Sequence, residues 1–266
     1  MPSLITHDAF GHDVYERLGA LIGTSRDEED AFLLGSQGPD ALFFAHLNPV
    51  LRSAFGVGSE LHRTDPNRLL AGFRAAAARR PTEAGRRIAR AYVMGLACHY
   101  LLDSAEHPLV YAQERALCDA GVEGLDRSDA HEVHAAIETE LDEAVLWSRH
   151  GQTIATFNPA KRILRCGDDA LAEVSALYAE AVWDVLGRAI APGAFASSVR
   201  QWRAVQALLH SPTGVKRAGL GALEQLVRRH SMLQALSHRD RPSGESGFDN
   251  RQHAPWVDPF TGDVRH

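Results

Sequence analysis

The segment YVMGLACHYLLDSAEHPLV, residues 92–110, is apolar around most of its circumference. A helix of that kind belongs in the interior. It nevertheless carries His99, Asp103 and His107 at steps of four. On an α-helix this spacing lines them along one face, about 6 Å apart per step with a drift of roughly 40°. An uncompensated carboxylate buried there would cost several kcal/mol, a penalty that a metal cation removes. His99 and Asp103, one turn apart, can share an ion. His99 and His107 lie about 12 Å apart along the axis, whereas zinc–nitrogen bonds are only about 2 Å long. The stripe therefore points to at least two ions, with Asp103 central.

The rest of the chain reads as helix after helix, rich in Ala, Leu, Arg and Glu, with no alternating strand pattern. The expected helices cover 8–22, 26–35, 39–55, 67–79, 83–106, 108–119, 128–149, 168–190, 194–209 and 214–236. They are separated by Gly38-Pro39, Asp65-Pro66, Arg80-Pro81, Asn158-Pro159 and Ser211-Pro212. Ser128 is the expected N-cap of its helix. The fold class is all-α: a multi-helix bundle over residues 1–237. From residue 238 onward Pro, Gly, Asp and Ser dominate, so 238–266 is expected to be an irregular tail. Phe248, Trp256 and Phe260 would pack that tail back onto the domain, with His253 and Trp256 as lid or surface anchor.

Composition narrows the function classes. No apolar run approaches the roughly 18–20 residues of a membrane span. The first residues read as no secretory leader, so a cytoplasmic location is expected. Cys98, Cys118 and Cys166 are odd in number and widely spaced, which argues against a disulfide framework or a thiolate metal site. A formal charge of -6 disfavours non-specific nucleic-acid binding.

A second chemistry-bearing segment is SDAHEVHAAIETELDEAVLW, residues 128–147. His134 and Glu138 fall one turn apart on its apolar stripe and are natural partners for His107, with His131 as the rival ligand. Upstream, His7 opens the first helix, Asp40 follows Gly38-Pro39, and His62 sits at a helix-to-loop junction. His46, His150, His210 and His230 read as hydrogen-bonded core histidines.

The order His, Gly-Pro-Asp, His, H-x3-D-x3-H and H-x3-E, across residues 1–145, resembles the zinc-dependent phospholipase C family and its relatives, the single-strand-specific zinc nucleases. The resemblance implies an all-helical fold holding two or three zinc ions. Asp40, His62, His99 and Asp103 would hold one ion, and His107, His134 and Glu138 a second. His7 and Asp103 would share a third. Secreted members complete that third site with an N-terminal tryptophan, where Met1 removal here would leave Pro2. Their spacing is also H-x3-D-x5-H, so His107 comes early in this chain. By the same resemblance, the chain is a phosphate-ester hydrolase using metal-activated water, with Asp40 orienting or deprotonating that water. A phospholipid is the first substrate, and a nuclease or small-molecule phosphatase the alternative. A non-catalytic zinc protein is the reading from a different class.

Overall fold

The computed structural model describes residues 3–241 and 247–266. It is all-α, with one short strand pair near the C-terminus among the described residues. The α-helices are α1 (Leu4–Ile22), α2 (Arg26–Ser36), α3 (Val57–His62), α4 (Pro66–Ala78), α5 (Glu83–Cys118) and α6 (Ala130–His150), followed by α7 (Pro159–Arg162), α8 (Asp168–Leu186), α9 (Ala194–Leu209), α10 (Val215–Glu224) and α11 (Met232–Ala235). Strands β1 (Trp256–Val257) and β2 (Val264–Arg265) pair antiparallel. No described helix is long and apolar enough to cross a membrane.

Several boundaries differ from the sequence reading; the expected helix 214–236, for one, is split into α10, which ends at Glu224, and the short α11. The expected break at His107 is absent, and α5 runs through Pro108. A proline in mid-helix costs about 3 kcal/mol; burial of Leu96, Cys98 and Val110 on the same helix offsets that. The expected helix 39–55 is instead two 3-10 segments, Gly38–Leu47 and Pro49–Ala54. Pro49 disfavours α geometry at Asn48, which is extended and whose side chain accepts from the Val50 amide at 3.0 Å. Ser128 does not cap α6: Asp126 forms a capping box with Asp129 around a 3-10 turn, Arg127–Asp129, that leads into the helix.

The chain forms two compact units. One comprises His7–Leu102 and Ile163–Val205. Its core includes Phe32, Phe73, Tyr92, Tyr178, Phe195 and Trp202, all at most 1% exposed. Here α2 and α5 cross with their backbones in contact. A Cβ on Gly35 would overlap the Tyr92 carbonyl oxygen, and one on Gly95 the Phe32 carbonyl oxygen. Glycine at both positions lets α5, which carries His99, approach α2, which leads into the segment with Asp40.

The other unit comprises Met1–Thr6, Asp103–Arg162 and Gln206–His266. Val110, Ile137 and Leu141 centre a cluster joined by Leu117, Val133 and Phe248. Asp142 on α6, 1% exposed, accepts from the amides of Ile5 and Thr6 at 3.0 and 2.7 Å and from the Thr6 hydroxyl at 2.8 Å. It thereby satisfies first-turn donors of α1. His238 Nε2 lies 3.0 Å from Asp142 Oδ2, the oxygen that Ile5 also uses. The C-terminal segment is thus tied in from its first residue. The Phe260 ring meets Tyr111 edge-on at 5.5 Å, while His253 is exposed.

Candidate metal centre

In the first unit, four separate segments deliver His7, Asp40, His62 and His99. Asp40 sits in the first turn of its 3-10 segment, two residues after Gly38, whose φ is +59°. Glycine is required there twice over. The conformation is left-handed, and a Cβ would overlap the His99 ring. The turn is clamped from beneath by two buried tyrosines. The hydroxyls of Tyr92 and Tyr178 lie 2.7 Å apart and reach the Gly38 carbonyl oxygen at 3.1 and 3.2 Å. Burial in this apolar packing pushes both phenols well above their ordinary pKa, so they stay neutral donors.

His7, Asp40 and His99 are all buried, and each offers a ligand atom within 4.8 Å of the others. Their rings stack, with His7 and His99 centroids 4.6 Å apart. His62 joins them: its Nε2 is 2.9 Å from Asp40 Oδ1, and its ring meets His99 edge-on at 5.6 Å. Its Nδ1 is 2.7 Å from the Gly58 carbonyl oxygen, one turn back on α3. A carbonyl only accepts, so Nδ1 carries the hydrogen. The lone pair of a neutral His62 ring then sits at Nε2, facing a carboxylate oxygen. Two acceptors at that distance need a cation between them, a proton or a metal. Orientation of a ligand histidine through its other nitrogen is what zinc sites use.

In the second unit, His107 on α5 and His134 and Glu138 on α6 form another group with ligand atoms within 4.8 Å. Glu138 Oε1 is 3.2 Å from His134 Nε2 and 3.5 Å from His107 Nε2. Asp103, one turn before His107 on α5, has Oδ1 3.8 Å from the same His107 nitrogen. His134 Nδ1 donates to Glu114 Oε2 at 2.8 Å. Burial works against a charge on His134, but Glu114 and Glu138 outweigh it and hold the pKa at about 9. Burial likewise opposes ionisation of Glu138, and hydrogen bonds from His107 and His134 help hold its pKa far below the ordinary carboxylate range. Without a metal, a proton therefore holds this pair together, and binding an ion there would displace it.

These donor sets fit zinc chemically: imidazole nitrogens and carboxylate oxygens without thiolates, the ligands of catalytic zinc. Ligands about 2.0–2.2 Å from one ion stand about 3.5 Å apart, a spacing the shorter distances above bracket. Pro2 lies outside the described residues. His131 is exposed and belongs to neither group. Of the histidines read as core, His210 is bonded to the Ile154 carbonyl and Asn158, and His230 to the Gly124 carbonyl. His46 and His150 are instead on the surface.

Several residues at the centre went unremarked in the sequence reading. Glu114 is twenty positions from the histidine it orients. Gly58 acts through its backbone. Tyr111 leans on His134 with centroids 4.9 Å apart and also meets Phe260 edge-on. None of these has a spacing signature, because each contact joins different elements or uses the main chain.

No curated protein and no solved structure matches this chain. The zinc dependent phospholipase C family matches residues 6–184, which contain His7, Asp40, His62, His99, Asp103, His107, His134 and Glu138. With more than half of its length matched and its fold all-helical, the chain belongs to the zinc-dependent phospholipase C family.

Proposed function

We propose that this protein hydrolyses phosphate esters with zinc, in the manner of a phospholipase C, and that a phospholipid phosphodiester is its first substrate class. The observation that carries the reading is the convergence of His7, Asp40 and His99, and separately of His107, His134 and Glu138, into groups of donor atoms within 4.8 Å. Asp103 lies on α5 one turn before His107 and supplies a further carboxylate to that group. His62, oriented by the Gly58 carbonyl, supplies a further nitrogen beside Asp40.

Bound zinc lowers the pKa of water toward neutrality and screens phosphate oxygens. The protein's own groups do the rest. Asp40 Oδ1 orients the attacking water and takes its proton. The two-tyrosine clamp on Gly38 keeps Asp40 aimed. Glu114 holds the His134 Nδ1 hydrogen, so Nε2 faces inward. The Tyr111–Phe260 wall, with Phe260 61% exposed, offers an apolar surface beside His134 for an acyl-bearing substrate. The same wall supports a second reading, single-stranded nucleic acid, since bases stack on aromatic faces. Cys98, Cys118 and Cys166 are free thiols, as suits a reducing compartment, and a cytoplasmic location is part of the proposal.

The test begins with elemental analysis of untagged protein, where about two or three zinc ions per chain are expected. Hydrolysis of phosphatidylcholine, of an oligothymidylate and of bis(4-nitrophenyl) phosphate is then compared for parent and Asp40→Asn. The substitution should lower turnover at least about a hundredfold with little change in the urea midpoint. A zinc-loaded parent that cleaves none of the three would instead be a non-catalytic metal protein. Faster cleavage of the oligonucleotide than of the lipid would make it a nuclease.

A further inference from the structure

One cavity lies away from the metal ligands. It is a trough of about 630 Å³ between α4 and α5, within the size range of small-molecule sites. Its origin is in the packing: α4 leans on α8, which leaves its flank toward α5 open. Leu70 and Ala71 on α4 and Val93, Met94 and Ala97 on α5 supply an apolar floor. Ala97 is about 200° around the helix from His99, so the floor and the metal ligands use opposite faces of α5.

The rim is cationic. Arg74, Arg86 and Arg90 line the trough, and no carboxylate does. Among the described residues none of the three forms an ion pair. Arg86 donates to the carbonyls of Arg80 and Pro81, and Arg90 to that of Leu21. Guanidinium–carboxylate pairs occupy arginines elsewhere in the same unit, as with Arg80 between Glu173 and Glu180. Three uncompensated guanidinium groups along an apolar channel, in a protein of formal charge -6, form an amphipathic receptor: a slot for hydrocarbon ending in forks that match a two-oxygen anion.

We propose that this trough binds a free long-chain fatty-acid anion, its chain along the α4–α5 floor and its carboxylate among Arg74, Arg86 and Arg90. The floor is recessed, with Val93 only 6% exposed, whereas surfaces that enter a bilayer project apolar groups outward. A single dissolved amphiphile fits that shape better than a membrane. The site stands whether or not the metal centre is a phosphodiesterase.

Isothermal titration of the full-length protein with dodecanoate below its micellar concentration tests the site. Saturable binding of about one molecule per chain is expected. Ala71→Trp, a change at an exposed position that fills the trough, should abolish it. Arg74→Glu and the replacement of dodecanoate by dodecan-1-ol should each weaken it at least about tenfold, the loss of a charge-assisted hydrogen bond. Unchanged zinc content and melting temperature would show that both variants fold. Absence of saturable heat overturns the proposal, as does equal binding by Ala71→Trp or equal affinity for the alcohol. So does binding confined to phospholipid vesicles, or a self-association of the chain that Ala71→Trp dissolves.

Discussion

The two candidate ligand groups are built by different strategies. His7, Asp40, His62 and His99 come from four separate segments, and their convergence depends on tertiary packing: the glycine contact between α2 and α5, the left-handed Gly38 and the tyrosine clamp. His107, His134 and Glu138 come from two helices, with His134 and Glu138 already one turn apart on α6. Orientation differs too. His62 is aimed by a main-chain carbonyl and His134 by the Glu114 carboxylate. The first group is thus protected from side-chain substitution at its orienting partner but exposed to anything that shifts a backbone. The second is the reverse.

The sharpest way to break that contrast is Gly95→Leu. Its Cβ would overlap the Phe32 carbonyl oxygen, and backbone on both sides leaves no flexible group to yield. The expected loss exceeds about 4 kcal/mol, beyond ordinary overpacking, and is read as a collapse of the urea midpoint or of soluble folded protein. Parental stability and zinc content in this variant would show that the first group does not depend on close approach of α2 and α5.

Glu114→Ala tests the other half. Removing a partner that orients a ligand histidine costs about 10–100-fold in metal affinity, so one class of zinc should be lost to a chelator sooner while the other is retained. Glu114 is only partly buried, and the fold should survive. Equal retention of all zinc would mean that Glu138 and the packing of Tyr111 orient His134 unaided. No matching side-chain experiment exists for His62, because its partner is the carbonyl of Gly58.

This contrast also explains what was legible in the chain. His99, Asp103 and His107 stand out because a fixed step of four on an apolar helix is a local signal, and His134 with Glu138 is the same signal repeated. Helix limits with clear punctuation are equally readable: α9 occupies the expected 194–209, and α4 starts at Pro66 behind its Asp65 cap. Asp40 and His62 could be flagged only as polar groups beside apolar sequence, since their approach to His99 is set by non-local contacts. The 3-10 geometry of 38–54 was hidden because propensity there favours helix of either kind. The β1–β2 pair was hidden because two residues per strand leave no alternation to detect. The passage of α5 through Pro108 was misread for another reason: a local breaker is overridden when residues elsewhere on the helix, such as Leu96 and Val110, are buried in packing.

The smallest expected effect concerns the clamp. Tyr178→Phe removes one of two hydroxyls that reach the Gly38 carbonyl, while Tyr92 still supplies the other. Each phenol also bonds to its neighbour, so a single deletion leaves the surviving hydroxyl free to donate wholly to Gly38. The expected cost is about 1 kcal/mol for either single variant. The double variant, which removes both side-chain donors from a buried carbonyl, should cost more than the sum of the two. Turnover should follow the same non-additive order, because the clamp acts on Asp40 only through the position of the Gly38 turn. A double-mutant cycle in urea, run beside the same cycle in hydrolysis, checks both. Additive losses in stability together with unchanged turnover would reduce the tyrosines to core packing. They would also leave the glycine contact between α2 and α5 and the left-handed Gly38 to align the first ligand group.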